Sequence, residues 1–518
     1  MSSSIDEPTT LWIRSLVNQD RFEWDRRPIK DLIYRLLDDV TSYDFQLIFM
    51  AILVYDRAQV FQIFLDCGLL KQIEADEEPV LYKVIQNKAH KCLKALIRHL
   101  EPENSISAIL QLYQNTTAVH LAAHIGAPKI LKVLFETVKD EINDLMSDLY
   151  QRSPLHYAAI SGSCHCVEEC LDFGFAVDKK DKFHQTPLMF AIFRAEPEII
   201  RLLVRKKPAS VSVRNKFNGM SVLHLAVLAN NIEGLKIILE VAPKQLLDQL
   251  DESTRTPLHY AALYDRKECV ELLLKNGANK NVTDKNYAYP AHYAAQHSLG
   301  SLKLLTQGVK EDLSDDKGRT TFMWAVLAKN DEIVKAYLNR EIGINVDPNS
   351  ADIYKKTALH LAAHKGSFQI CKQLINADRP WSITQEDCKL ATPVHLAAGG
   401  GHNHILDLFR LSADIDIQNS EKTTPLFYAC LGGMSHTVQV LVETYKANVN
   451  HKNYIDQTPL HCAVFSGSLP CVKTLLDLNA DIHARNIKQK TPVDLAEELN
   501  QKLIIEHFAA RIKYEMQI

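Results

Sequence analysis

The sequence lacks most features that mark a nucleic-acid-binding protein, a secreted protein or a membrane protein. The net charge is only −4 over 518 residues, so we expect no broad basic surface for nucleic acid or anionic lipid. The longest apolar stretch, near Ile48–Val54, is far shorter than a membrane span. The N-terminus lacks the basic and apolar regions of a signal peptide. We therefore expect a soluble, cytoplasmic protein.

Recognisable catalytic motifs are missing as well. The sequence contains no phosphate-binding G-x-x-x-x-G-K-[ST], no G-x-S-x-G, no H-E-x-x-H and no kinase signature. The eleven cysteines fit reduced thiols buried in an intracellular core. We expect no catalytic residues, no cofactor and no metal site.

What the sequence does contain is one phrase in twelve near-copies, such as Thr256-Pro-Leu-His-Tyr-Ala-Ala. The copies open at Thr117, Ser153, Thr186, Ser221, Thr256, Tyr289, Thr320, Thr357, Thr392, Thr424, Thr458 and Thr491. Two fainter copies open at Phe45 and Glu78, which makes about fourteen units with a mean spacing of roughly 34 residues. A repeat of this length stacks into a solenoid, and solenoids usually present a binding surface instead of a catalytic pocket.

Each position of the phrase has a structural role. The opening Thr or Ser is an N-cap for a helix, and Pro follows at the first helical position, where its missing N–H costs nothing. The Leu is expected in the core, and the two Ala allow close approach of neighbouring helices. A residue suited to a left-handed helix end recurs nine places after the cap. These residues are Gly126, Gly162, Gly366, Gly401, Gly433 and Gly467, with Asn230 in the same place. A second apolar helix and a polar loop complete each unit.

The spacing and wording resemble the ankyrin repeat, with its period of about 33 residues and its T-P-L-H-x-A signature. This resemblance covers roughly residues 45–518. It predicts an all-α ankyrin-repeat solenoid in which each repeat is a helix, a turn, a second helix and a projecting hairpin. The predicted parts are an N-terminal helical cap (1–44), two divergent repeats (45–116), eleven clear repeats (117–490) and a degenerate C-terminal capping repeat (491–518).

Two groups of residues have both a chemical and a structural interpretation. Eight histidines occupy the fourth place of the phrase, either as general bases or as links to the backbone of neighbouring loops. Recurrence at one place favours the structural role, because an active site is needed only once. The cluster Cys164–Cys170 has four soft ligands, but Cys166 and Cys170 fall where other repeats have core residues. We therefore expect buried thiols there.

The positions that vary among repeats are the candidates for partner binding. In ankyrin geometry, the hairpin tip and the end of the first helix project from the stack. The candidates are Tyr150, Phe183, Phe217, Tyr287, Tyr354 and Tyr454 at the tips, and Phe193, Tyr264 and Phe465 at the helix ends, beside Leu263 and Leu431. Exposed aromatic side chains are frequent hot spots of protein interfaces. The alternative is that some tip aromatics pack onto neighbouring hairpins.

Three less common phrases are similar to the inversin family of nephrocystin-type ankyrin scaffolds, in the same order along the chain. They are Ile238-Leu-Glu-Val-Ala-Pro-Lys-Gln-Leu-Leu, Gly318-Arg-Thr-Thr-Phe-Met-Trp-Ala and Thr424-Pro-Leu-Phe-Tyr-Ala-Cys. The resemblance implies a non-enzymatic scaffold that joins a NIMA-related kinase to an ankyrin–SAM adaptor. It also implies a place at the cilium or, as in the nematode moulting machinery, in an apical complex at the cell cortex.

One departure from that family and one alternative function remain open. Inversin continues past its repeats into a basic tail with calmodulin-binding motifs that this sequence does not match, so the resemblance does not extend to calmodulin binding, microtubule binding or tail-dependent ciliary targeting. The alternative function is a substrate-recruiting subunit of an enzyme complex such as a ubiquitin ligase. Residues 1–44 would then have to supply the adaptor-binding box.

Overall fold

The computed structural model describes residues 42–68, 78–100, 102–138, 146–410 and 416–515. Within these ranges the chain forms helices, turns and loops, and its only extended pairings are isolated bridges such as Arg214 with Ser221. The predicted all-α repeat fold is confirmed. The chain divides into two compact units, Met1–Glu252 and Ser253–Ile518. The predicted cap, 1–44, lies outside the described residues except where the first helix begins at Ser42.

The first unit contains six helix pairs in its described part. The pairs are Ser42–Val54 with Ala58–Asp66, Val80–Gln86 with His90–His99, Ala118–His124 with Pro128–Val138, Pro154–Ser161 with Cys164–Phe173, Pro187–Arg194 with Pro197–Lys206, and Val222–Leu228 with Ile232–Val241. Two short 3₁₀ turns, Pro208–Ser212 and Lys244–Leu246, follow the last two pairs.

In the residues described for it, the second unit contains eight helix pairs. The pairs are Pro257–Leu263 with Lys267–Lys275, Pro290–His297 with Leu299–Thr306, Thr321–Leu327 with Asp331–Leu338, Ala358–Lys365 with Phe368–Ile375, Pro393–Gly399 with Asn403–Arg410, Pro425–Leu431 with Ser435–Gln439, Pro459–Phe465 with Leu469–Asp477, and Pro492–Glu498 with Lys502–Glu515. In the sixth pair the second helix continues as a π-helical turn, Val440–Thr444.

The phrase sets the limits of the first helices as predicted. Thr256 is in an extended conformation before the helix, and Pro257 is the first helical residue. At the other end, Gly366 has φ +71°, a left-handed conformation that a glycine adopts at low cost. Asn230 takes the same conformation, with φ +52°. Local chemistry therefore fixes where each first helix begins and ends.

Stacking inside each unit buries the apolar face of every helix pair. First helices pack against first helices of the next repeat, and second helices against second helices. The paired alanines, such as Ala397 and Ala398, are fully buried between first helices. At one contact an added Cβ on Gly432 would lie 2.2 Å from the carbonyl oxygen of Gly399. The core is therefore shared between neighbouring repeats.

Two of the longer joints between repeats contain ordered structure that packs on the helices. Most of joint 101–116 is a helix, Pro102–Leu110, which packs against the helices of the following repeat. In joint 377–391, Trp381 is buried and its ring stacks on Phe322, with 5.6 Å between ring centroids. These insertions thus add to the core as well as to the surface.

Candidate functional site

Nine of the described hairpin tips are shaped by a buried Asp or Asn side chain. Oδ1 of Asp148 accepts hydrogen bonds from the backbone N–H groups of Tyr150 (2.8 Å) and Arg152 (2.7 Å). The same two bonds, to the residues two and four places later, form at Asp181, Asp284, Asp315, Asp352, Asp387, Asn419, Asn453 and Asn486. Such a side-chain turn fixes the backbone of the tip. Sequence analysis missed this turn, although the regular spacing of Asp and Asn before each cap signals it.

Backbone hydrogen bonds connect successive tips within each unit. In the first unit the N–H of Lys182 donates to the carbonyl oxygen of Tyr150 (2.8 Å), and that of Lys216 donates to Phe183 (3.0 Å). In the second unit the N–H of Cys388 donates to Tyr354 in the same way (2.8 Å). The side chains at the tips therefore lie at fixed spacing along each unit.

The structure places most of the predicted partner-binding side chains in solvent. Eight are exposed, from 43% for Tyr150 to 67% for Phe217, namely Tyr150, Phe193, Phe217, Tyr264, Tyr287, Tyr354, Tyr454 and Phe465. Phe183, which was expected to project into solvent, is half-buried. Three exposed aliphatic side chains at the tips, Leu149, Ile353 and Ile487, were not among the predicted residues. Partner binding by all of these residues stays a prediction.

Three of the tip aromatics in the first unit form a row in which each ring contacts the next. The ring centroids of Tyr150 and Phe183 are 6.0 Å apart, and those of Phe183 and Phe217 are 5.0 Å apart. We call Tyr150, Phe183 and Phe217 the tip ladder. Phe183 is partly covered because it lies between the other two rings, so packing onto neighbouring hairpins does occur there. The guanidinium of Arg152 lies over the Tyr150 ring and pairs with Asp181 (3.3 Å).

The other predicted tip aromatics stand apart from one another. Tyr287, Tyr354 and Tyr454, all in the second unit, make no ring–ring contact within the described part of the chain. The tip ladder is therefore the most continuous aromatic surface among the predicted residues.

The histidines of the phrase connect repeats and do not converge on a cavity. In the repeat opening at Thr392, Nδ1 of His395 accepts from the Thr392 N–H (3.4 Å) and lies 2.8 Å from its hydroxyl oxygen. Nε2 of the same ring lies 3.0 Å from the carbonyl oxygen of Thr423, just before the next cap. Since that carbonyl only accepts, the ring proton lies on Nε2. Equivalent pairs of contacts form at His120, His156, His259, His292, His360 and His461. The structural interpretation of these histidines is confirmed.

Burial keeps these imidazoles neutral. Desolvation lowers the pKa of His156, His292 and His395 to about 4, despite the opposing effect of their backbone hydrogen bonds. Both ring nitrogens are already occupied, so these side chains are not placed to take a proton from a substrate.

The repeats that lack this histidine differ in how the polar groups at the start of the first helix are bonded. Met189 and Phe427 stand in its place, and the hydroxyl oxygens of Thr186 and Thr424 are buried without a hydrogen-bond partner. In the repeat opening at Thr320, the carboxylate of Asp312 bonds the first turn of the helix instead. It accepts from the backbone N–H groups of Thr321 (3.2 Å) and Phe322 (3.1 Å).

The cysteine cluster is built into the core of its repeat. Cys166 and Cys170 are fully buried, as predicted, and burial raises the pKa of both thiols. Cys164 is half-buried and His165 is exposed. Within the described ranges no group of His, Cys, Asp or Glu side chains is arranged to hold a metal ion.

Stacked helix pairs with exposed aromatic side chains at ordered hairpin tips are typical of repeat proteins that bind other proteins. The model of the family "Ankyrin repeats (3 copies)" matches residues 120–215, 196–284, 291–387 and 394–486, more than half of the chain. The chain belongs to the ankyrin-repeat family.

Two kinds of longer protein are similar to this chain over part of their length. The human transient receptor potential cation channel subfamily A member 1 is 26% identical over 70% of this chain and 36% of its own length. Dog inversin is 28% identical over 61% of this chain and 32% of its own length, and human inversin 29% identical over 46% and 22%. The predicted resemblance to inversin is confirmed. The chain spans about a third or less of the length of these relatives. No helix in the described residues is long and apolar enough to cross a membrane.

Proposed function

We propose that this protein is a non-enzymatic scaffold of the inversin type. It brings a NIMA-related protein kinase and an ankyrin–SAM adaptor together in the cytoplasm, at the cilium or at the apical cell cortex. The similarity to inversin supports a scaffold of this type. The observation that carries the proposal is the set of exposed aromatic side chains at equivalent tip positions in both units, represented by Phe217 and Tyr354.

The size of the two units fits one partner on each. A standard interface uses about 20–30 residues on each side. With roughly five exposed variable positions in each repeat, one partner would cover about four to six repeats. The first unit has six described repeats and the second has eight. Each unit is therefore large enough to hold a partner of its own.

Affinity purification of the full chain from cell extract, followed by mass spectrometry, tests the proposal. Two double variants separate the units, Tyr150→Glu with Phe217→Glu in the first and Tyr354→Glu with Tyr454→Glu in the second. All four side chains are exposed, so the fold should tolerate the charges. The control is Leu503→Glu, which adds a charge at an equally exposed residue of the last helix.

We expect the wild-type chain and the Leu503 control to recover a kinase and an adaptor. Each double variant should lose one of the two partners and keep the other. Recovery of ubiquitin-ligase core subunits in place of a kinase would overturn the proposal. Unchanged recovery by both double variants would show that the tip aromatics are not the interface.

A further inference from the structure

The tip ladder is bordered by two lysine side chains that form no ion pair with the residues that the structure describes. Lys182 and Lys216 immediately precede Phe183 and Phe217, and both are exposed. Their backbone N–H groups bond the preceding tip, which holds each lysine beside the rings. Neither ammonium group forms an ion pair with any residue that the structure describes. His184, the residue after Phe183, is also exposed.

The acidic side chains near the same tips are either buried or already paired within the chain. Asp148 and Asp181 are 6% and 2% exposed, and their carboxylates hold the N–H groups of the turns. Asp178 pairs with Lys207 at 2.8 Å. Among the residues of these tips that the structure describes, from 146 onwards, the nearest exposed carboxylate is at the following tip, where the backbone N–H of Glu252 donates to the carbonyl oxygen of Asn218. The surface that a partner meets at the ladder is therefore aromatic and basic, although the whole chain has a net charge of −4.

We propose that the tip ladder binds an extended acidic segment of a partner protein. An aromatic or large aliphatic side chain of that segment lies on the rings of Tyr150, Phe183 and Phe217, and its carboxylates pair with Lys182 and Lys216. Charge complementarity selects the acidic partner, because opposite potentials attract and a basic segment would be repelled. The inference deepens the proposed function, since it assumes only that the partner of the first unit is a protein.

The dimensions of the ladder fit a short extended chain. The two ring-to-ring distances, 6.0 and 5.0 Å, make the strip at most about 11 Å long. An extended chain rises about 3.3 Å per residue, so three or four residues span the strip. Alternate side chains of such a segment point the same way, so one set would contact the rings while the backbone and the other set reach the flanking lysines.

Selection of random twelve-residue peptides displayed on phage, with the immobilised full chain as bait, tests the inference. The affinity of the most enriched peptide is then measured by fluorescence anisotropy. The test variant is Lys182→Glu with Lys216→Glu. The matched control, Lys285→Glu with Lys317→Glu, makes the same charge change at exposed tip lysines of the second unit.

We expect the enriched peptides to be acidic and to contain an aromatic or large aliphatic residue. The test variant should weaken the best of them by about tenfold or more and should enrich basic peptides instead. The control variant should bind as the wild type does. The inference is overturned if the peptides show no acidic bias or if the test variant binds them unchanged. It is also overturned if Lys182 and Lys216 instead mediate binding to phosphatidylserine vesicles, to single-stranded RNA or to a second copy of this chain.

The outcomes separate the inference from the proposed function. Suppose that no acidic peptide is selected and that the Lys182 and Lys216 variant still recovers a kinase and an adaptor. The proposed scaffold function would then be supported and the inference about the tip ladder would be wrong. If the acidic peptides behave as expected but the wild-type chain recovers no kinase, the inference would be supported and the proposed scaffold function would be wrong.

Discussion

Lowering the pH should decrease the free energy of unfolding of this protein, because its buried histidines are difficult to protonate in the folded state. In His156, His292 and His395 the folded-state pKa is lowered from 6.5 to about 4 by burial. Below pH 6.5 the unfolded chain therefore binds protons that the folded chain does not. The stabilisation is complete above pH 6.5 and is lost as the pH falls towards 4.

The magnitude follows from the size of the shift. A lowering from 6.5 to about 4 corresponds to about 3 kcal/mol for each histidine, because one pKa unit is about 1.4 kcal/mol. At about pH 5 each of these histidines should have lost about 2 kcal/mol of that contribution. Near pH 5 the free energy of unfolding should change by about 1 kcal/mol per pH unit for each histidine.

Urea unfolding followed by circular dichroism between about pH 7.5 and pH 4.5 measures this slope. The variant His395→Phe removes one titrating group and uses a residue that the next repeat already has at the same place, Phe427. Its slope should fall by about 1 kcal/mol per pH unit. The control Val394→Ala opens a cavity beside it but should leave the slope unchanged. An equal slope in His395→Phe and wild type would refute the reasoning.

Three substitutions test the packing account by thermal or urea unfolding. Met189→His should raise the free energy of unfolding by about 1 kcal/mol, since the imidazole would bond the unpartnered hydroxyl of Thr186; a loss would contradict this role. Gly432→Ala should cost about 2 kcal/mol or more because its Cβ would clash with a carbonyl oxygen 2.2 Å away. Gly399→Ala, whose nearest contact is 3.5 Å, is its control and should be tolerated. Trp381→Ala should cost about 3 kcal/mol because the ring is buried, whereas an unchanged midpoint would mean that the joint does not contribute to the core.

The helices could be predicted from the sequence because local chemistry determines them. A Thr cap followed by Pro257, or a glycine such as Gly366 at a left-handed position, acts within one turn of helix. The recurrence of histidine indicated its structural role for a related reason, since a residue needed at every repeat serves the repeat itself. These features depend on residues close together in the sequence.

The features that escaped prediction have several physical causes. The spacing of successive tips decides that Phe183 is covered by Tyr150 and Phe217, and no single repeat contains that information. In the repeat that opens at Thr320, which lacks the histidine, the carboxylate of Asp312 accepts a hydrogen bond from the backbone N–H of Thr321. Asp312 lies nine residues before Thr321, outside the repeated motif. The segment Pro102–Leu110 has no copy elsewhere in the chain, so the repeat pattern could not indicate its helix.

The central claim is that the protein holds two different partners at once. Size-exclusion chromatography with light scattering on the purified full chain, a NIMA-related kinase and an ankyrin–SAM adaptor measures this directly. The account predicts one complex that contains one copy of each protein, and loss of a single partner when Tyr150 and Phe217 are both changed to Glu. Competition of the two partners for the chain, or binding of neither, would contradict it.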